Sequence, residues 1–336
     1  MHLAGDFKVE MQPRRQAMSS SEKREGARWM IDLRKTVQAL WHGEILWSCP
    51  MARYSTFKAG GPAAALIEPR SIEELASLVR GLREQKIKWM VVGGGSNILV
   101  TDEGFAGVVL HLGRAFGAIA EVDSQDGAVR VTVEAGCSLA RLVNWCLERE
   151  FSGLEFAAGI PGSIGGAVVM NAGAWGREIG SLVEQVTVID GAGNLVELAG
   201  ASIPFRYRSW GLAEQVVAAV TLRLEKAARH EIEAQCHELA RRRRGTQPLD
   251  KPSAGSFFKN PPDGPAAGKL IQDAGLKGYR IGDAMVSPKH ANFIVNMGHA
   301  TAGDILALMD VVLEKVAAMS GIWLEPEVRI IGDRQG

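Results

Sequence analysis

From Ala64 onward the chain alternates short apolar runs with amphipathic stretches. Ala64-Ala65-Leu66-Ile67 has the length and composition of a strand. Ser71-Ile72-Glu73-Glu74 carries a capping-box pattern and predicts a helix reaching about Gln85. Trp89 to Val92 predicts a second strand, which ends in Gly93-Gly94-Gly95. Residues 108–110, 118–122 and 129–133 read as further short strands, and 139–149 as a helix. Strands at 183–190 and 216–224 bracket the turn Asp190-Gly191-Ala192-Gly193-Asn194. Ahead of these, Met30, Leu33, Val37 and Leu40 recur at helical spacing, predicting a helix over 29–40. Residues 1–22, with Ser19-Ser20-Ser21, read as a flexible extension.

A charged helix over 227–244 and a loop at 245–253 with two prolines place a domain boundary near 225. The remainder predicts a strand at 256–258, a helix at 266–274, a strand at 293–295 and a last strand at 327–331. A helix beginning at 301–304 and reaching Met319 puts Ile305, Leu308, Met309, Val312, Leu313 and Val316 on one apolar face, a core face. The fold class is α+β, divided into an extension (1–22), a first domain (23–225) and a smaller C-terminal domain (226–336).

Composition narrows the function classes. A chain of 336 residues with 46% hydrophobic and 23% charged residues can bury a core in about two domains. Its formal net charge of zero argues against a general nucleic-acid binder. The run Arg241-Arg242-Arg243-Arg244 ends a helix, where cations complement the dipole. No apolar run approaches a membrane span, and the first 25 residues hold no apolar central run, so a cytoplasmic location is expected. Cys49, Cys137, Cys146 and Cys236 form no C-x-x-C pair and read as buried, idle thiols with no metal site. Nothing points to an obligate protein partner.

Two glycine-rich stretches carry candidate chemistry. In Gly93-Gly94-Gly95-Ser96-Asn97, glycines let several N–H groups approach an anion, and two side chains add donors. The spacing fits neither a dinucleotide fingerprint nor a P-loop, and a tight turn explains it equally well. The second, Gly159-Ile160-Pro161-Gly162-Ser163-Ile164-Gly165-Gly166, continues to Asn171 and suits either an extended ligand on the main chain or close helix–sheet packing. Two such loops in one domain favour a dinucleotide.

These loops, together with Thr56-Phe57-Lys58-Ala59-Gly60-Gly61-Pro62-Ala63, resemble the UDP-N-acetylenolpyruvoylglucosamine reductase (MurB) family over about residues 45–332. The resemblance implies a flavin-binding domain of the vanillyl-alcohol-oxidase type, built of two α+β subdomains, followed by a substrate-binding domain. It implies non-covalent FAD, held by Gly93, Gly94, Gly95, Ser96, Asn97, Ile160, Pro161, Gly162, Ser163, Gly165, Gly166 and Asn171. NADPH would be the reductant and UDP-N-acetylglucosamine enolpyruvate the substrate, reduced to UDP-N-acetylmuramate for peptidoglycan synthesis.

Reducing an enolpyruvyl ether needs hydride at the methylene carbon, a cation to stabilise the enolate-like charge, and a proton for the adjacent carbon. Phe205-Arg206-Tyr207-Arg208-Ser209 resembles the family segment in which Arg208 would polarise the substrate carboxylate, beside Tyr207. Ala254-Gly255-Ser256-Phe257-Phe258-Lys259-Asn260-Pro261 resembles the segment bearing the proton donor, Ser256, with Lys259 and Asn260 on the nucleotide side. Leu324-Glu325-Pro326-Glu327-Val328-Arg329 resembles the segment with the catalytic glutamate; Glu327 is the better match and Glu325 its competitor. Burial would raise the pKa of Glu327 and favour its acid form. Ser287-Pro288-Lys289-His290-Ala291-Asn292 resembles another substrate-side segment of the family, in which His290 is a candidate substrate contact. About 48 residues separate Arg208 from Ser256, which resembles the shorter type of the family, without the closing tyrosine loop. Two other readings compete: a flavin oxidase or dehydrogenase for an alcohol, and a non-catalytic nucleotide-sensing domain.

Overall fold

A computed structural model describes residues 20–125 and 128–332. The expected extension over 1–22 therefore lies outside the described residues, apart from its last three, which open a helix. That helix, Ser20–Leu40, is the described part of a first unit ending at Trp41. Its last turn closes with the Trp41 N–H on the Val37 carbonyl at 2.9 Å.

The second unit runs from His42. Strands Leu46–Pro50, Pro62–Ile67, Phe105–His111 and Trp89–Val92 form a four-stranded sheet in that order, antiparallel at the first pair and parallel after it. Helix Ile72–Glu84 connects two of them and buries Leu75, Leu78, Val79 and Leu82 along one stripe. Ser71 accepts from the Glu74 N–H at 3.2 Å, as its sequence pattern predicts. The Glu74 carboxylate, however, accepts from the Arg70 N–H at 2.7 Å, one residue upstream of the position in a true capping box.

A larger antiparallel sheet orders Leu195–Ala199, Val183–Ile189, Val216–Lys226, Ala128–Glu134 and Ile119–Gln125, with the short strand Phe151–Ser152 also pairing with Val216–Lys226. Ala128–Glu134 alternates by residue, burying Val129, Val131 and Val133 on one face. Val216–Lys226 lies between two neighbours and begins with five buried residues.

The C-terminal region holds a three-stranded antiparallel sheet of Arg280–Ile281, Ala284–Val286 and Ile294–Asn296, together with helix Ala302–Ser320. Thr301 and Asp304 form a complete capping box there, and Gly321, at φ 72°, ends the helix in the left-handed conformation. Ile305, Leu308, Met309, Val312 and Val316 pack with Phe257 and Phe258 in one core cluster, and Leu313 is partly buried against it.

Two expected strands differ from the structure. Residues 256–258 form no regular strand: Gly255 sits at φ 76°, and only a bridge between Phe258 and Pro326 pairs the segment. The last strand begins at Arg329, not 327, and pairs in parallel with Ile98–Val100, directly after the first glycine loop. Periodicity could not reveal a three-residue strand whose partner lies more than two hundred residues away. The edge strands Leu46–Pro50 and Leu195–Ala199 also escaped the hydrophobic pattern.

Candidate active site

Strand Trp89–Val92 delivers Gly93–Asn97 to the end of the first sheet, where it meets the loop Gly159–Gly166. The contact leaves no room for side chains. A Cβ on Gly93 would lie 2.2 Å from Ser163 Oγ, and one on Gly94 only 2.7 Å from Gly162 Cα. Gly95 sits at φ 61°, with a Cβ position 1.8 Å from the Tyr54 carbonyl oxygen. Ser96 Oγ donates to the Pro161 carbonyl at 3.2 Å, tying the loops together. Ser163 caps the short helix Ile164–Val169, and Ile160 closes a turn on Ala157. Gly165 packs against Ala135, so at that position helix–sheet packing is the physical role.

The opposite side of this junction is open. Gly94, Gly159, Pro161 and Gly166 are exposed. Among the described residues the N–H groups of Gly94, Ser96 and Gly162 have no protein acceptor. Arg243 is buried beside Gly159, with Nη1 donating to Gln247 Oε1 at 3.3 Å. Its Nε and Nη2 have no partner among the described residues, and burial lowers its pKa, although a guanidinium keeps its proton. Free main-chain donors and an orphaned cation beside an exposed glycine surface fit a dinucleotide such as FAD.

The side chains of two residues expected at the cofactor bond to protein groups. Asn171 is buried at 1% exposure; its amide donates to Glu178 Oε2 at 2.7 Å and to the Arg206 carbonyl at 3.1 Å, while its Oδ1 accepts from Gly180. It braces the loop leading to Arg208, and its side chain is fully committed. Asn97 points its amide at the Glu327 carbonyl at 3.1 Å and at Met170 Sδ at 3.5 Å.

A cavity of about 400 Å³ gathers Tyr207, Arg208, Ser256, Asn260, His290 and Glu327 in its wall. Four segments distant in sequence thus meet in one place. Arg208 stands at the tip of a two-residue turn closed by reciprocal bonds between Arg206 and Ser209 at 2.7 and 3.0 Å. Its φ of 57° is a left-handed strain for a non-glycine residue, costing of order 1–3 kcal/mol. The guanidinium lies over the Tyr207 ring at 4.8 Å. Arg208 Nε lies 2.8 Å from Glu327 Oε1, a close ion pair, yet its N–H is not aimed well enough for a hydrogen bond.

Glu327 Oε2 also has no partner among the described residues. Burial raises the Glu327 pKa, outweighing the opposing pull of Arg208 and, more weakly, Lys259. The competing acid differs: the Glu325 side chain is 70% exposed and bound by Lys259, whereas that of Glu327 is 13% exposed. Lys259 pairs with the exposed Glu325 and does not border this cavity. The Ser256 hydroxyl is half-buried and makes no side-chain hydrogen bond among the described residues.

Sequence reasoning missed the supports. Asn292, buried, pairs through its side-chain amide with both backbone groups of Phe258 at 3.0 and 2.8 Å, and its carbonyl accepts from Phe257 at 2.8 Å. A side chain thus substitutes for the missing strand partner of the Ser256 segment. Asn260 Oδ1 accepts from Ala267 at the start of helix Ala267–Asp273, so its outward reach is limited. His290 Nδ1 accepts from the Asn292 N–H at 3.2 Å, and burial lowers its pKa, aided by nearby Lys277. Lys269, Lys277 and Lys289 line the same cavity, giving it a cationic wall. Sequence reasoning quoted Lys289 only as part of the His290 segment and did not single out Lys269 or Lys277. All four cysteines are free and buried; burial pushes Cys146 up to about 12 and Cys236 up to about 11, which keeps both thiols protonated.

A flavin-binding α+β enzyme is the class that this fold and cavity define, and residues 63–199 match the FAD binding domain family. Residues 247–331 match the UDP-N-acetylenolpyruvoylglucosamine reductase C-terminal domain. The chain belongs to the UDP-N-acetylenolpyruvoylglucosamine reductase family. It is 46% identical over 296 residues to the reductase of Heliobacterium modesticaldum, covering 88% of this chain and 93% of that protein. It is 43% identical over 302 residues to that of Caldanaerobacter subterraneus subsp. tengcongensis, covering 89% and 98%. The crystal structure of the Thermus caldophilus reductase superposes with a TM-score of 0.73 at 37% identity, covering 86% of this chain and 98% of that one.

Proposed function

We propose that the chain reduces UDP-N-acetylglucosamine enolpyruvate to UDP-N-acetylmuramate with NADPH, a step of peptidoglycan precursor synthesis. The observation that carries the assignment of roles is the meeting of Arg208, Ser256 and Glu327 in one cavity. FAD, when bound, relays the hydride from NADPH to the methylene carbon of the enolpyruvyl ether. The glycine loops and Arg243 would hold it without a covalent link.

Arg208 receives the substrate carboxylate: its charge is permanent and its guanidinium stands in the cavity beside Glu327. When hydride reaches the methylene carbon, the electron pair of the double bond moves to the neighbouring carbon and into the carboxylate. Arg208 offsets that charge, and the acid form of Glu327 donates a hydrogen bond to it. The Ser256 hydroxyl gives its proton to that carbon and is re-protonated from solvent. Hydride and proton together saturate the double bond.

The cationic wall of Lys277 and Lys289, the latter now bound to the Arg244 carbonyl, supports a diphosphate subsite beside the uncharged His290. It offers a way to hold the nucleotide in a chain of the shorter type, where Lys259 is engaged elsewhere. Residues 226–336 would then act as the substrate domain. The cytoplasm, where NADPH is available, is the proposed location. The test is NADPH oxidation followed at 340 nm with purified flavoprotein. Oxidation that begins only when the enolpyruvyl substrate is added supports the reading; oxidation indifferent to it, or driven by alcohols, overturns it.

A further inference from the structure

Asn97 belongs by sequence to the flavin loop, but its side chain does other work. Its Nδ2 donates to the Glu327 carbonyl at 3.1 Å, and its own carbonyl accepts from the Arg329 N–H at 3.0 Å. One residue thus grips both sides of the Glu327–Arg329 segment just before the parallel pairing of Arg329–Ile331 with Ile98–Val100 begins. On its other side, the Glu327 N–H donates to the Phe257 carbonyl at 2.8 Å, adjacent to Ser256. The acid is held between the flavin loop and the serine segment, and Asn97 supplies the only side-chain bond to its backbone among the described residues.

We infer that Asn97 is a positioning residue for Glu327, setting the acid's place relative to the flavin loop, in addition to any main-chain contact of that loop with the cofactor. The inference rests on the proposed role of Glu327. Without the Asn97 amide the main-chain bonds of Glu327 to Phe257 and of Arg329 to Asn97 remain, but the Glu327 carbonyl is unheld, and a carboxyl displaced by an ångström or so on this looser backbone costs about 100-fold in rate.

The experiment uses holoenzyme and three variants. Asn97→Ala removes the side chain; Asn97→Asp keeps its shape but replaces the N–H donor facing the Glu327 carbonyl with an acceptor; Glu327→Gln removes the acid. Flavin content, visible spectrum and reduction potential are measured first, then the reoxidation of reduced enzyme by the enolpyruvyl substrate in stopped flow. Both Asn97 variants are expected to keep the parental flavin spectrum and potential and to slow reoxidation between about 10- and 100-fold. In the double variant Asn97→Ala/Glu327→Gln, reoxidation is expected to be no slower than in Glu327→Gln alone, because both changes act through one group.

Loss of flavin from both Asn97 variants, with normal reoxidation in whatever stays loaded, would assign the side chain to the cofactor and overturn the inference. So would effects that multiply in the double variant. A Glu327→Gln variant with unaltered reoxidation instead removes the role of Glu327 itself, an outcome distinguishable from the failure of Asn97 alone.

Discussion

The junction of the glycine loops and the wall of the cavity are built on opposite principles. At the junction, side chains are excluded: Gly93, Gly94 and Gly95 each meet a neighbour closer than a Cβ tolerates. At the wall, side chains are recruited: Asn292, Asn171 and Asn97 supply hydrogen bonds that a regular strand would otherwise provide. A binding surface for a large cofactor needs exposed main chain, which only small residues leave open. A site for proton transfer needs a few side chains at fixed places, and buried amides can fix a loop without repacking it.

If the wall carries the chemistry, the largest effect comes from Ser256→Ala. Reoxidation of reduced flavin by substrate is expected to slow roughly 10²–10⁴-fold, the scale of general-acid catalysis, while reduction by NADPH proceeds as before. Stopped-flow traces with both half-reactions unaltered would dissolve the contrast between the two regions.

Next comes the junction itself. Gly95→Ala places a Cβ against the Tyr54 carbonyl at a left-handed φ, so destabilisation of at least about 1–3 kcal/mol is expected. Gly94→Leu, against Gly162, should also weaken flavin retention. A melting temperature for the first variant equal to that of the parent, or full flavin content in the second, would show that the junction yields more than its geometry suggests.

Arg243→Met separates cofactor binding from folding. Removing a buried cation with two unpaired nitrogens should leave the apoprotein as stable or more so, by up to about 1–3 kcal/mol, while flavin affinity falls. Denaturant unfolding of the apoprotein and flavin titration by fluorescence measure the two separately. A parallel loss of both would make Arg243 a structural member of the fold.

The smallest effect is in pH. Glu327 has a folded pKa raised above its unfolded value, so the native state holds the proton to higher pH than the unfolded chain does. Stability is then fully present below the ordinary glutamate value and falls as pH rises through the shifted one. Reoxidation, which uses the acid form, should decline across the same window, and Glu327→Gln should flatten both profiles. A parental profile retained in the variant would assign the titration to another group.

The two regions were also unequally legible in the sequence. Glycine at 93–95 and 162 announces a need for space, because the reason for glycine is local. The α+β alternation and the core face of helix Ala302–Ser320 follow from periodicity for the same reason. The cavity wall was legible only through family resemblance, which supplied Arg208, Ser256 and Glu327. What places them is long-range: a parallel strand pair between 98–100 and 329–331, and an amide at 292 completing a segment at 258. Lys277 and Lys289 escaped notice because a lysine on a loop looks the same in sequence whether it faces a cavity or solvent. The side-chain partners of Asn97 and Asn171 were not legible either, because their glycine-rich surroundings say nothing of where an amide points.

The return of Arg329–Ile331 to Ile98–Val100 also gives the site an order of assembly. On the ribosome the first glycine loop is made 230 residues before the carbonyl that Asn97 grips. Until those last residues are added, a nascent chain contains both loops and the serine but lacks the acid between them. The acid can therefore take its place only after Arg329–Ile331 has been made and has paired with Ile98–Val100.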